Sequence, residues 1–140
     1  MIHQEVIYSR LADFRPLALD LHVPADVRSA PVVVWIHGGG FRAGDRRSLP
    51  HTVRPNAVFD ALTTAGLACA TIDYRLAGEA IWPAQRDDVN AAIDSIAAHA
   101  DQYGIDADRV GIWGESAGAH LALMAAMTNP HVKLPSRGIH

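Results

Sequence analysis

The chain reads as an α/β protein, a mostly parallel sheet with helices on both faces, and three observations predict it. Residues 32–36, 67–72 and 110–113 are continuous apolar runs, the pattern of strands covered on both sides. Between them lie segments with apolar residues at helical spacing. Two glycine clusters, Gly38 to Gly40 and Gly114 to Gly118, fall at the carboxyl ends of strands, where such sheets bind their ligands.

The elements follow in order. Residues 4–9 and 17–23 read as short strands, the second alternating Leu17, Leu19, Leu21 and Val23 with Ala18, Asp20 and His22. A polar turn over 24–31 leads into the run Val32-Val33-Val34-Trp35-Ile36, which ends in His37-Gly38-Gly39-Gly40. Residues 44–55 are charged and proline-bearing, hence a surface loop. From Asn56, the residues Val58, Phe59, Leu62 and Ala65 mark a helix that Gly66 stops. The strand 67–72 runs into Asp73-Tyr74-Arg75, and 78–83 is loop. Val89, Ala92, Ile93, Ile96, Ala97 and Ala100 form the clearest amphipathic stripe, with Gly104 as its cap. After the strand 110–113, residues 116–127 are helical and apolar nearly all round, which predicts an interior helix.

The chain has 140 residues, 49% of them hydrophobic and 19% charged, enough for one domain with a real core. Its net charge is −3, and Lys133 is its one lysine among 12 basic residues. No stretch supplies the basic face that nucleic acid requires. No apolar run approaches the roughly 20 residues of a membrane helix, and the N-terminus shows no secretory signal. A single cysteine, Cys69, offers no disulfide framework, so a cytoplasmic setting is expected. Metal-binding motifs are absent as well.

Chemistry is concentrated in Gly114-Glu115-Ser116-Ala117-Gly118, a G-x-S-x-G between a buried strand and an apolar helix. A serine on so sharp a turn needs neighbours at ±2 without side chains, and the bend holds its hydroxyl clear of the sheet. The following helix directs its N–H groups toward developing negative charge. Acyl transfer also needs donors for an oxyanion, and the glycine run after the neighbouring strand supplies unobstructed amides. The expected constellation is Ser116 as nucleophile, with the amides of Gly39, Gly40 and Ala117 as the oxyanion hole.

With these stretches in hand, the sequence resembles the α/β-hydrolase fold. It is most similar to the esterase branch that includes bacterial feruloyl and acetyl-ester esterases and hormone-sensitive-lipase-like carboxylesterases. His37-Gly38-Gly39-Gly40-Phe41 matches the oxyanion loop, and Asp73-Tyr74-Arg75-Leu76 the strand-end motif. Trp82-Pro83-Ala84-Gln85 with Asp88 matches the next helix entry, and residues 104–110 lead into the elbow as in those enzymes. The resemblance implies hydrolysis of a small acyl ester, acetyl or feruloyl in type, through an acyl-serine and without a cofactor.

In this fold the triad runs Ser, then Asp or Glu, then His. No carboxylate follows Ser116, although His131 and His140 do. The chain therefore reads as a single but incomplete domain, the N-terminal half of a larger hydrolase. Its strand 110–113 is then expected to present an open edge to a second copy or a completing chain. A catalytically inactive remnant and an arylformamidase-like amide hydrolase stand as alternatives. Among the other polar residues, His37 is expected to hold the oxyanion loop, and His120 and Asp73 to be structural. Glu115 is expected to support the site, Asp87 and Asp88 to meet the dipole of their helix, and Asp106 and Asp108 to make a turn. His3, His22, His51 and His99 read as solvated, and Trp35, Trp82 and Trp113 as core or pocket wall.

Overall fold

The computed structural model describes residues 1–132, and nine elements follow one another among them. They are β1 (Ile2–Ser9), β2 (Leu17–His22), β3 (Ala30–Ile36), α1 (Ala57–Thr64), β4 (Ala68–Ile72), α2 (Ala84–Ala98), α3 (Ala100–Tyr103), β5 (Ile105–Gly114) and α4 (Ala117–Thr128). The strands form one sheet in the order β1-β2-β4-β3-β5. β3 pairs in parallel with both β4 and β5, whereas β1–β2 and β2–β4 are antiparallel. The mostly parallel sheet of the sequence reading is thus a parallel trio extended by an antiparallel pair. Connection length explains this: residues 10–16 are too few for a crossover, so β2 must return beside β1.

Helices lie on both faces. Val32, Val34 and Ile36 of β3 and Ala68, Ala70 and Ile72 of β4 share a core with Val89, Ala92 and Ile93 of α2 and Leu121 and Ala125 of α4. On the opposite face Trp35 and Cys69 pack beneath Phe59, backed by Val58 and Leu62 of α1. Burial pushes the Cys69 thiol up to about 12, which keeps it protonated and unreactive. The crossover from β3 to β4 runs through α1 on one face, and that from β4 to β5 returns through α2 on the other. Chain direction therefore diverges around β3, and the carboxyl ends of β3 and β5 border the ligand-binding crevice of this architecture.

Four local expectations are corrected. β5 begins at Ile105, five residues before its apolar run. It advances from Ile105 to Val110 while β3 advances only from Ala30 to Val32. The excess forms a bulge in which Asp106 Oδ1 accepts the Asp108 N–H at 2.9 Å, the turn role read for these two aspartates. The α2 helix stops at Ala98, where the His99 ring hydrogen-bonds back to the Ser95 carbonyl, and Gly104 at φ 68° closes the short α3. His22 is buried against Phe59, ring centroids 5.1 Å apart, because α1 covers that face of β2. Finally, α4 is half-covered. It buries Ala117, Gly118, Leu121, Ala122 and Ala125, but Leu123 and Met127 are 60% and 63% exposed. Among the described residues β5 is the edge strand beside β3, its outer side paired at the isolated Val110–Val132 bridge. No described helix is long and apolar enough to cross a membrane.

Candidate active site

At the end of β3 the chain turns through His37 into three glycines. The His37 ring is fully buried and stacks on Tyr74 with centroids 4.4 Å apart and planes 12° from parallel. Tyr74 Oη donates to the His37 carbonyl at 2.8 Å. His37 Nδ1 lies 2.6 Å from the Gly38 carbonyl, an acceptor only, so Nδ1 carries the proton. Burial holds the ring below the ordinary imidazole value although this hydrogen bond works the other way, so His37 is neutral near pH 7. It holds the loop. Gly39 sits at φ 126°, where any side chain would run into the Ala43 carbonyl. Its own carbonyl accepts the N–H groups of Arg42 and Ala43 at 3.0 and 3.2 Å.

The loop's exit is fixed by charge. Arg46 Nε donates to Asp20 Oδ1 and Arg46 Nη1 to Asp73 Oδ2, each at 2.8 Å, while the Arg46 N–H reaches Asp73 Oδ1. Arg47 Nε takes the other oxygen of Asp20. Burial opposes the charge on Asp20, but the bonds from Arg47, the Glu5 N–H and Arg46 outweigh it and keep its pKa below the usual carboxylate range. Asp73 therefore anchors the loop, the structural part read for it.

At the end of β5 the elbow is tight. Ser116 adopts φ 53° and ψ −117°, a conformation disfavoured for a residue with a side chain. A Cβ on Gly114 would collide with the Gly118 carbonyl, and one on Gly118 with the carbonyls of Ile36 and His37. The Glu115 side chain packs over Gly38 in the same way. Elbow and glycine loop are thereby pressed together, and only glycine fits at the contact points.

Ser116 is exposed, and its Oγ has no hydrogen-bond partner among the described residues. The N–H groups of Gly39, Gly40 and Ala117 likewise donate to no described residue. Beside them lies a cleft of about 320 Å³, lined by Gly38, Gly39, Ser48, Leu49, His51 and Glu115 among others. Ser116, the glycine loop and Ala117 thus meet at two adjoining strand ends.

Other polar residues fall elsewhere. Asp88 does not serve the helix dipole. It is buried and grips Arg75 with both oxygens at 2.8 and 2.9 Å and also accepts the Arg75 N–H, while its neighbour Asp87 meets Arg86 at the surface. His131 pairs with Asp94 at 3.9 Å beyond the far end of α4, roughly 20 Å from the elbow by helix length. His140 lies outside the described residues. His120 sits between two aromatic rings, 6.0 Å from Phe41 and 5.9 Å from Trp82. Arg46 and Tyr74 hold the site, yet sequence reading gave neither a role. The signal available for Arg46 was an adjacent arginine pair, Arg46-Arg47, a few residues after the glycine loop.

Comparison with known proteins identifies the family and the fold. The BD-FAE family model matches residues 19–137. Esterase LipI of Mycobacterium tuberculosis is 40% identical over 101 residues, which cover 72% of this chain and 30% of that protein. The acetyl esterase of Salmonella schwarzengrund is 32% identical over 99 residues, covering 71% and 29%. Among solved structures, a truncated carbohydrate esterase from gut microbiota superposes with a TM-score of 0.76 at 32% identity, covering 94% of this chain and 45% of that one. The chain thus spans under a third of these two curated relatives and under half of the solved one. With the family model spanning most of its length and the fold shared with these esterases, the chain belongs to the BD-FAE family, with an α/β-hydrolase fold.

Proposed function

We propose that the chain carries the nucleophile and oxyanion hole of a serine carboxylic-ester hydrolase. One observation carries the reading: an uncommitted hydroxyl on a strained bend, beside backbone N–H groups that bond to no described residue. Ser116 Oγ attacks the acyl carbon, and its proton passes to a general base. The carbonyl oxygen becomes an oxyanion held by the amides of Gly39, Gly40 and Ala117. Each such donor contributes about 3 kcal/mol to the transition state. Collapse expels the alcohol and leaves an acyl-serine, which water then hydrolyses. Small acyl groups of acetyl or feruloyl type are the proposed substrates, supported by the names of the acetyl and carbohydrate esterases to which the chain is similar.

The base is a histidine supported by a carboxylate, from residues beyond those described or from a chain packed along β5 and the open side of α4. No described imidazole bonds to Ser116. This last point also favours a second reading, in which the 140-residue chain by itself is an inactive half-domain. Fluorophosphonate labelling and p-nitrophenyl acetate hydrolysis, with Ser116→Ala as control, separate the two. Labelling and turnover that vanish in the variant support the enzyme. A folded chain that does neither supports the half-domain.

A further inference from the structure

We infer that His120 is a positioning residue that ties the oxyanion loop to the helix carrying the nucleophile, acting through the ring of Phe41; this rests on the esterase reading above. His120 lies one turn after Ser116, and its N–H donates to the Ser116 carbonyl at 3.2 Å. Its ring meets Phe41 edge to face, centroids 6.0 Å apart and planes 87° from parallel, and meets Trp82 on another side at 5.9 Å. Such aromatic pairs are directional, so the contact fixes orientation as well as distance.

Phe41 needs that support. It follows Gly40 directly and holds φ 62°, an outlier for a bulky residue. Its carbonyl accepts the Ala77 N–H, and its ring packs against the main core. Gly39, Gly40 and Phe41 thus form three consecutive left-handed residues, at φ 126°, 63° and 62°. A backbone of this kind persists only where its surroundings over-determine it. His120 supplies part of that constraint from α4, the element whose first residue contributes the third amide. Loop and elbow are then set against one another by a ring contact, with no proton transfer by the imidazole.

The test uses the 140-residue chain with His120→Ala and His120→Phe. The alanine variant should lower kcat for p-nitrophenyl acetate about ten- to a hundred-fold with KM nearly unchanged, the signature of misplaced groups. The phenylalanine variant, which restores a ring without a titratable nitrogen, should recover most of that loss. Independently of turnover, 15N order parameters at Gly39, Gly40 and Phe41 should fall in His120→Ala and return in His120→Phe. Order parameters unchanged in His120→Ala overturn the inference. So does a phenylalanine variant as inactive as the alanine one with the loop still rigid, because that result assigns the imidazole to proton transfer. If the wild-type chain neither labels nor turns over, the esterase reading fails for this chain, and the order parameters alone decide the role of His120.

Discussion

Replacing Ser116 by glycine should make the protein more stable than replacing it by alanine. Ser116 holds φ 53° and ψ −117°, a region in which a Cβ is strained by about 1–3 kcal/mol. Alanine keeps that Cβ and therefore the strain, whereas glycine releases it. Against this, glycine gains freedom in the unfolded chain, worth about 0.5–1 kcal/mol. Neither change forfeits a helix cap, since the Ser116 side chain makes no capping hydrogen bond to α4. The balance favours Ser116→Gly by about 1–2 kcal/mol, which for a chain of this size is a rise in Tm of about 3–8 °C. Thermal unfolding of the two variants, followed by far-UV circular dichroism, measures the difference directly. Equal midpoints, or a lower one for glycine, would refute the claim that the elbow stores strain.

Other consequences follow from the same geometry. Gly118→Ala places a methyl group against the backbone carbonyls of Ile36 and His37, which cannot rotate away, and should cost about 3 kcal/mol; its urea midpoint should drop with the m-value unchanged. Asp88→Asn strips the buried partner from Arg75 and should cost about 3 kcal/mol, read by the same titration, while a mere surface role would leave the midpoint in place. Stability should also fall as pH drops below about 6.5. Burial lowers the pKa of both His22 and His37 in the folded chain, so below that value the unfolded chain binds protons that the folded one does not. The contribution of Asp20, whose pKa is depressed, survives to lower pH and is lost only beneath the ordinary carboxylate range. A urea midpoint flat between about pH 7.5 and 5 would contradict the histidine part.

What could be read from the sequence was whatever chemistry confines to a few neighbouring residues. Three buried strands follow from runs such as Val32 to Ile36, and the elbow from its glycines at ±2, because adjacent residues suffice to impose each. The bulge in β5 hid half of that strand: Asp106, Asp108 and Arg109 fall between the Ile105 and Val110 pairings to β3 and break the apolar pattern there. Asp88 was misjudged for a different reason. Its partner Arg75 lies 13 residues back, across a loop, so a local rule about helix dipoles stood in for a contact set by tertiary packing. The same holds for Arg46, whose partners Asp20 and Asp73 are 26 and 27 residues away in opposite directions. His22 and the open side of α4 depend on what packs over them, and periodicity does not report that.

The proposed oxyanion hole sets its own loop a structural problem. The amides that are to receive a substrate oxygen must be left without internal partners, so they contribute nothing to holding the loop in place. Here the carbonyls do that work. His37 O accepts from Tyr74, Gly38 O from the His37 ring, Gly39 O from Arg42 and Ala43, and Phe41 O from Ala77. At the elbow, Glu115 O and Ser116 O accept from Gly118, Ala119 and His120. The carbonyls of His37, Gly38, Gly39, Phe41, Glu115 and Ser116 are engaged while the donors at Gly39, Gly40 and Ala117 have no described partner, the arrangement that the proposed oxyanion hole requires. Peptide planarity permits it: a Gly39 carbonyl turned into the fold points the Gly40 N–H the opposite way, and the left-handed backbone at Gly39 and Gly40 lets the chain turn there. Glycine is thus required at this loop for two reasons at once: the close approach of Glu115 at Gly38, and the reversed backbone at the two residues after it.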